Sequence, residues 1–387
     1  MRRALVWVVL LATCVGCSRS VHKDVAVSAP TQGMAAGAPA GSSPTVGVAA
    51  GEAPGVTAAM EQTIGAPRTV DNLTVFPVLS KKQEDIGPIT TLDAALAKGV
   101  ASVHEIGAGS GPGNSAGPQV NSLVIENKGD VPVYVLAGTI VKGGNQDRQI
   151  GEDFIVGARQ SIPVDAYCVE HGRWTNSRDG VATAGQFGTI GLLTDSRVRT
   201  AAEYGKDQGE VWAKVAAVNE ANKKQAASGT LMASVDSADI VARRTALTKK
   251  VEGFLSEVQP GDDVVGLAYA VDGKVRSVRW FAHHKVFGLF EDALVGTAAM
   301  EAITAQSQAA ASGKPPAPPP ALASADVSKF VKDVQESKVR ETRTTPGMND
   351  NDIRESKEGY SAATKYKPAA AQPAAPPKAV STSVTAF

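Results

Sequence analysis

Two short segments carry the side chains whose types and spacing could do chemistry. In residues 138–148 (GTIVKGGNQDR) an apolar run enters the pair Gly143-Gly144, followed by Asn145, Gln146, Asp147 and Arg148. Paired glycines let the backbone approach a bound group, and successive N–H groups can form a concave nest for an anion. Gln146 and Arg148 could then orient a carboxylate or phosphate, the arginine through a two-pronged fork. The plainer alternative is a tight turn with solvated polar residues. In residues 168–174 (CVEHGRW), Cys168, Glu170, His171 and Arg173 invite a nucleophile-and-base reading, with Glu170 as general base and Trp174 as a stacking platform.

Strand alternation argues against the thiol. Ile162, Val164, Ala166 and Cys168 share one face at a period of two, so Cys168 reads as a small buried hydrophobe rather than a thiolate. Glu170 extends that face to the end of the strand, where Arg173 or Arg148 could pair with it. Trp174 reads as core ahead of a stacking platform. His283 and His284, if at the end of a strand, point to opposite faces and cannot chelate one ion together. The remaining histidines lack zinc-type spacing, and GxSxG, GxxxxGK[ST] and a properly placed GxGxxG are all missing, so no metal or cofactor is expected.

The elements that must position these groups follow from pattern and turn chemistry. Residues 72–79 (NLTVFPVL) read as a strand that Pro77 places at an edge. Thr91 can cap a short helix over 92–98, stopped by Gly99. Residues 100–106 read as a strand. Residues 120–126 and 131–141, joined through Asn127-Lys128-Gly129-Asp130, read as a hairpin, and 161–170 as a further strand. The second half is more helical. Val211, Val215 and Val218 mark one apolar face, and Ile240, Leu247, Val251, Phe254, Leu255 and Val258 another, which Pro260-Gly261 ends. Residues 264–271 and 274–281 around Asp272-Gly273 form the clearest hairpin, and a last helix covers 286–303. Strands first, then helices and a returning hairpin, give an α+β fold with a mixed or antiparallel sheet in the first half.

The ends differ from this core. Arg2-Arg3 precede an apolar stretch over 4–13, which at about ten residues suits a signal-peptide core and is too short to span a bilayer. It closes on Cys14-Val15-Gly16-Cys17-Ser18, which resembles a bacterial lipobox with Cys17 as the lipidated residue; an ordinary cleaved secretory peptide is the alternative. Residues 1–17 are thus expected to be a lipoprotein signal, and 18–67, rich in Ala, Gly, Pro and Ser, a flexible tether. Residues 68–305 are the globular domain. Residues 306–387, with KPPAPPP and PAAAQPAAPP, are expected to be a Pro/Ala-rich disordered tail, holding at most a marginal helix near 327–343. Ser18 rather than Asp after Cys17 resembles the enterobacterial sorting pattern for the outer membrane, which implies a place in the bacterial envelope facing periplasm or surface. If Cys14 and Cys17 belong to the leader, Cys168 is the only thiol left and no internal disulfide can form. The formal net charge of zero, without a Lys/Arg block, gives no nucleic-acid footprint.

Segments GTIVKGGNQDR, IPVDAYCVEHGRW and QGEVW, then SGTLM and VVGLAYAVDGKVRSVRWF, resemble in order the ADP-ribosylglycohydrolase and rhodanese-phosphatase-superfamily-associated domain family. The match singles out Gln146, Arg148, Cys168, Glu170, Arg173 and Trp174, and through the domains the family accompanies it implies a phosphate-bearing ligand. Two functions therefore compete. One is a non-catalytic envelope module, anchored to the membrane by lipid, that binds an envelope protein or another unidentified partner. The other is an enzyme or binding domain for a nucleotide, ADP-ribose or sugar phosphate. Its anion would sit on Gln146 and Arg148, with Arg173 close by, Trp174 stacking and Glu170 acting as base.

Overall fold

The computed structural model describes residues 62–106, 121–175, 177–178, 181–183, 186–313, 318–345, 348–366 and 377–387. The leader, Cys17 and residues 18–61 of the expected tether lie outside them; the rest of that expected tether is corrected, since Thr63–Ile64 pairs as a strand with Leu73–Leu79 and the Gly65 amide bonds the Pro77 carbonyl. The chain begins with strands β1 (Thr63–Ile64), β2 (Arg68–Val70) and β3 (Leu73–Leu79). β4 (Thr90–Thr91) runs into helix α1 (Leu92–Ala97), where the Thr91 hydroxyl accepts from the Ala94 amide at 3.1 Å as expected of its cap. Then come β5 (Ala101–Glu105), β6 (Ser122–Asn127), β7 (Val133–Val135), β8 (Thr139–Gly143), β9 (Arg148–Ile150), β10 (Phe154–Val156) and β11 (Ser161–Cys168). β12 (Ser177–Arg178), β13 (Val181–Ala182) and β14 (Phe187–Leu193) lead to helices α2 (Ser196–Glu203), α3 (Gln208–Ala221), α4 (Met232–Val235) and α5 (Ala238–Glu257). The hairpin β15 (Val264–Val271) and β16 (Lys274–Phe281) is followed by α6 (His284–Ala311) and α7 (Ser324–Gln335). Strands β17 (Val339–Thr345), β18 (Asn349–Glu355), β19 (Gly359–Tyr366) and β20 (Lys378–Ala386) complete an α+β fold.

β15 (VVGLAYAV) is buried at every position, the mark of a strand covered on both faces. It lies inside a large antiparallel sheet of order β1-β3-β15-β16-β20-β19-β18-β17, with β2 also paired to β3. Leu73, Val75, Leu267, Tyr269 and Phe281 share one cluster with Val211 and Val215 of α3, Ile240, Leu247 and Val251 of α5 and Val295 of α6. Phe76, Val78, Ala268, Val278, Trp280 and Val384 form another with Val327 and Val334 of α7. The β15–β16 turn takes Asp272 to φ 52° and Gly273 to φ 72°, the left-handed pair that a two-residue hairpin of this twist requires. β3 is flanked on both sides, not at an edge. Pro77 is tolerated because its side of β3 faces the gap between β1 and β2, where the Gly65 amide donates to the Pro77 carbonyl at 2.8 Å.

The expected disordered tail over 306–387 is corrected in its described parts. α6 continues to Ala311, α7 covers one sheet face, and β17–β20 form a meander whose last strand, β20, pairs with both β16 and β19. The end of the polyproline stretch also packs: a Cβ on Gly273 would fall 2.8 Å from Pro320 Cδ, so the proline ring lies directly on the hairpin turn.

A second antiparallel sheet of order β14-β8-β9-β11-β6-β5, beside the small group β10-β7-β4, carries the two polar segments. Its core includes Leu123, Ile125, Val141, Ile150, Val164 and Ala166. The hairpin expected over 120–141 does not form. β6 pairs with β5 and β11 instead, while β7 pairs with β10 and, in parallel, with β4. Asn127, taken as a turn residue, is buried, and its amide donates to the carbonyls of Val131, Val156 and Gly157. That side chain joins separate strands, which local turn chemistry cannot reveal.

Candidate functional site

The two polar segments meet because β9 and β11 are antiparallel neighbours with Arg148 opposite Cys168. β8 and β9 form a hairpin whose connection holds Gly144, Asn145, Gln146 and Asp147. The paired glycines serve close packing of the chain against itself. A Cβ on Gly143 would sit 2.1 Å from the Gln186 carbonyl oxygen, and one on Gly144 2.2 Å from the Phe187 ring. Gly143 at φ 145° and Gly144 at φ 47° also lie in the region that favours glycine.

Asp147 sits at the centre of this connection, buried. Its Oδ1 accepts from the Gly143 amide at 3.0 Å and its Oδ2 from the Thr230 hydroxyl at 3.0 Å. The successive amides anticipated as a nest for an external anion go to separate internal acceptors instead, Gly143 to Asp147, Gly144 to the Gln186 carbonyl and Asn145 to Glu105. The Asp147 amide donates to Glu170 Oε2 at 3.1 Å. Arg173 binds the same oxygen through Nε at 2.9 Å and spends its terminal nitrogens on the carbonyls of Gly143, Gly144 and Thr175 at 2.8–3.1 Å. Burial pushes the Glu170 carboxyl up. Hydrogen bonds from Arg173, Ser228 and the Asp147 amide outweigh it and hold the group below the usual carboxylate range.

Arg148 has no solvent exposure. Its guanidinium donates to the Gln146 carbonyl at 3.3 Å and side-chain Oε1 at 3.2 Å, and lies 3.5 Å from Glu105 Oε1. Its Nε is buried without a hydrogen-bond partner. Gln146 reaches on to the His171 carbonyl at 3.2 Å, which ties the first segment to the second. Glu105 on β5 also accepts from the backbone and side chain of Asn145 at 3.0 and 2.7 Å.

All six residues singled out in the sequence therefore gather in one place. Cys168 is fully buried as its alternation predicted, and burial pushes its thiol up, away from thiolate chemistry. Its amide and carbonyl are clamped by the Gln208 side chain at 2.8 and 2.9 Å, which gives QGEVW a structural role. Glu170 pairs with Arg173. Trp174 is 44% exposed, so its reading as core is corrected; the Arg148 guanidinium lies 5.6 Å from its ring centroid. His283 and His284 are not in a strand. His283 caps α6 and stacks on His284 with centroids 4.3 Å apart.

Glu105, Asp147 and Thr230 belong to this cluster and were missed, although Asp147 is equally part of the GGNQDR run. A second buried polar cluster, centred on Asp153, was also missed. Its carboxylate accepts from Arg279, Tyr134, Thr364, Ser381 and the Ala137 amide, while Asn349 and Asn351 donate to its carbonyl at 3.0 and 2.9 Å. Burial pushes Asp153 up, but Arg279 and the other donors bring it below its ordinary value. Among the described residues no group of three or more His, Cys, Asp or Glu could hold a metal ion, and no helix is long and apolar enough to cross a membrane.

Compared with known proteins, residues 61–371 match the family model ARPP-1, described as the ARG and Rhodanese-Phosphatase-superfamily-associated Protein domain. No curated protein and no solved structure matches.

Proposed function

We propose that this chain, which belongs to the family of ARG and Rhodanese-Phosphatase-superfamily-associated Protein domains, is a non-catalytic binding module of the bacterial cell envelope. A lipid on Cys17 anchors it. The observation that carries the non-catalytic part is the state of Glu170. A general base needs a lone pair directed at substrate and a pKa near the working pH. Glu170 is buried, bound to Arg173 and the Asp147 amide, and held below the normal carboxylate range. A hydrolytic reading on ADP-ribose or a sugar phosphate has no base at this position, and Cys168, buried with a raised pKa, supplies no nucleophile.

The envelope part is supported by the leader, with its basic start, short apolar core and Cys17 after Gly16. Two or three acyl chains on one cysteine hold stably, since each buried CH₂ contributes about 0.8 kcal/mol. Expression in a bacterial host, cell fractionation and intact-mass analysis test this. The wild type should appear in the membrane fraction, cleaved and acylated at Cys17, and Cys17→Ala should leave the acylated pool. Cytosolic protein carrying an intact, unmodified leader is the result that overturns the anchor. Product formation from ADP-ribose or a sugar phosphate by the purified protein, abolished by Glu170→Gln in a still-folded chain, is the result that overturns the non-catalytic reading.

A further inference from the structure

Away from the interlocked segments, a cleft of about 840 Å³ is lined by residues of α6, the β15–β16 turn, the start of α2, one residue of α5 and the chain after α6. None of Gln146, Arg148, Glu170, Arg173 and Trp174 lines it. Its volume lies within the range of small-molecule sites, roughly 300–1,000 Å³. Arg197, Arg243, Lys274 and Arg276 bring cationic groups to it, against the carboxylates of Asp272 and Glu301.

Of the two carboxylates, Glu301 is committed elsewhere and Asp272 only in part. Glu301 is buried and accepts from the Ser196 amide at 3.1 Å, the Ser196 hydroxyl at 2.8 Å and the Tyr269 hydroxyl at 2.9 Å. Asp272 accepts from the Asn72 side chain at 3.1 Å. The cations are less fully used. Arg243 touches only neutral oxygens, Gln306 Oε1 at 2.9 Å and Ser307 Oγ at 3.3 Å. Arg276 Nε lies 3.4 Å from Glu301 Oε1 yet is buried without a hydrogen-bond partner, because it is not aligned to donate. Arg197 pairs with Asp195 at 3.1 Å. Lys274 and Arg276 both line the cleft from β16, whose register against β15 shifts between Val275 and Ser277.

We propose that this cleft binds a phosphorylated, hydroxyl-bearing small molecule. Its phosphate is taken by Arg243, Lys274 and Arg276, where an arginine fork suits phosphate oxygens. Its hydroxyls face Asp272, and a ring finds an apolar wall in Ala305, Ala309 and the Pro318–Pro320 stretch, which the contact between Pro320 and Gly273 holds in place. The inference rests on reading the domain as a binding module and gives that module its ligand class.

Calorimetric titration of the purified full chain with inorganic pyrophosphate, ribose 5-phosphate and unphosphorylated ribose tests it. Both phosphate probes should bind, more weakly as salt rises, and ribose should not. Lys274→Glu with Arg243→Glu, both at exposed positions, should weaken the phosphate probes at least tenfold with the unliganded melting temperature unchanged. If the reversals lower that temperature, Lys274→Gln with Arg243→Gln should still weaken binding. Two results overturn the inference: no binding of either phosphate probe to the folded wild type, or affinities equal in wild type and variants. Binding of envelope protein or glycan fragments but not phosphate sinks the cleft and leaves the module standing. Conversion of ribose 5-phosphate at a rate the reversals reduce sinks the module reading and leaves the cleft.

Discussion

At the scale of single residues, the polar atoms of the two segments are turned inward and act on the fold. Arg173 joins three carbonyl oxygens to Glu170, and Glu170 in turn receives the amide of Asp147. Removing one partner of such a buried pair leaves an uncompensated charge, which costs about 3–5 kcal/mol. Arg173→Ala is therefore expected to destabilise by that amount in urea denaturation, and Arg173→Lys, which keeps the charge without the fork, by less. A loss below about 1 kcal/mol, the level of exposed surface pairs, would be incompatible with this role. Part of this was legible. The alternation of 162–168 placed Cys168 inside, and Glu170 at the end of that strand was open to pairing with Arg173 or Arg148, of which Arg173 is the one it binds. The role of Asp147 was not legible, because its partners Thr230 and Glu170 come from distant parts of the chain.

At the scale of elements, local signals worked where turn chemistry or helical periodicity was strong. Asp272-Gly273 gave the hairpin, and Val211, Val215 and Val218 are all buried on α3 as their spacing required. The C-terminal strands defeated the same reading. β18, β19 and β20 bury Asn349, Asn351, Thr364, Ser381, Ser383 and Thr385, which read as tail composition. Several are accommodated because Asp153 gives them partners, and Thr385 meets Arg199, an arrangement that depends on tertiary contact alone. β20 is bonded on both edges. Deleting residues 377–387 should therefore give insoluble or aggregated protein by size-exclusion chromatography. Val384→Ala, which leaves a hole beneath α7, should cost about 2 kcal/mol. Soluble, monodisperse protein after the deletion would show that β20 is dispensable.

For the molecule as a whole, the two buried polar clusters set its response to acid. Glu170 and Asp153 both have folded pKa values below their ordinary ones, through their arginine partners and other donors acting against burial. Their stabilisation is complete above the unfolded carboxylate range of about 4 and is lost as pH falls through the folded values. Glu152 acts in the opposite direction, since burial raises it, and its protonation relieves strain first. The urea midpoint should hold or rise slightly from pH 7 toward 5 and then drop below about pH 4; a flat profile to pH 3 would refute this. The placement of β20 also bears on how the polypeptide reaches its native state. Its partner β16 emerges roughly 100 residues earlier, which at a ribosomal pace of about 5–20 residues per second leaves an unpaired strand edge waiting for several seconds. Such an edge is a template for self-association between nascent chains. Sheet closure thus waits for β20 to emerge, and the interval before it is when the polypeptide most needs shielding by chaperones.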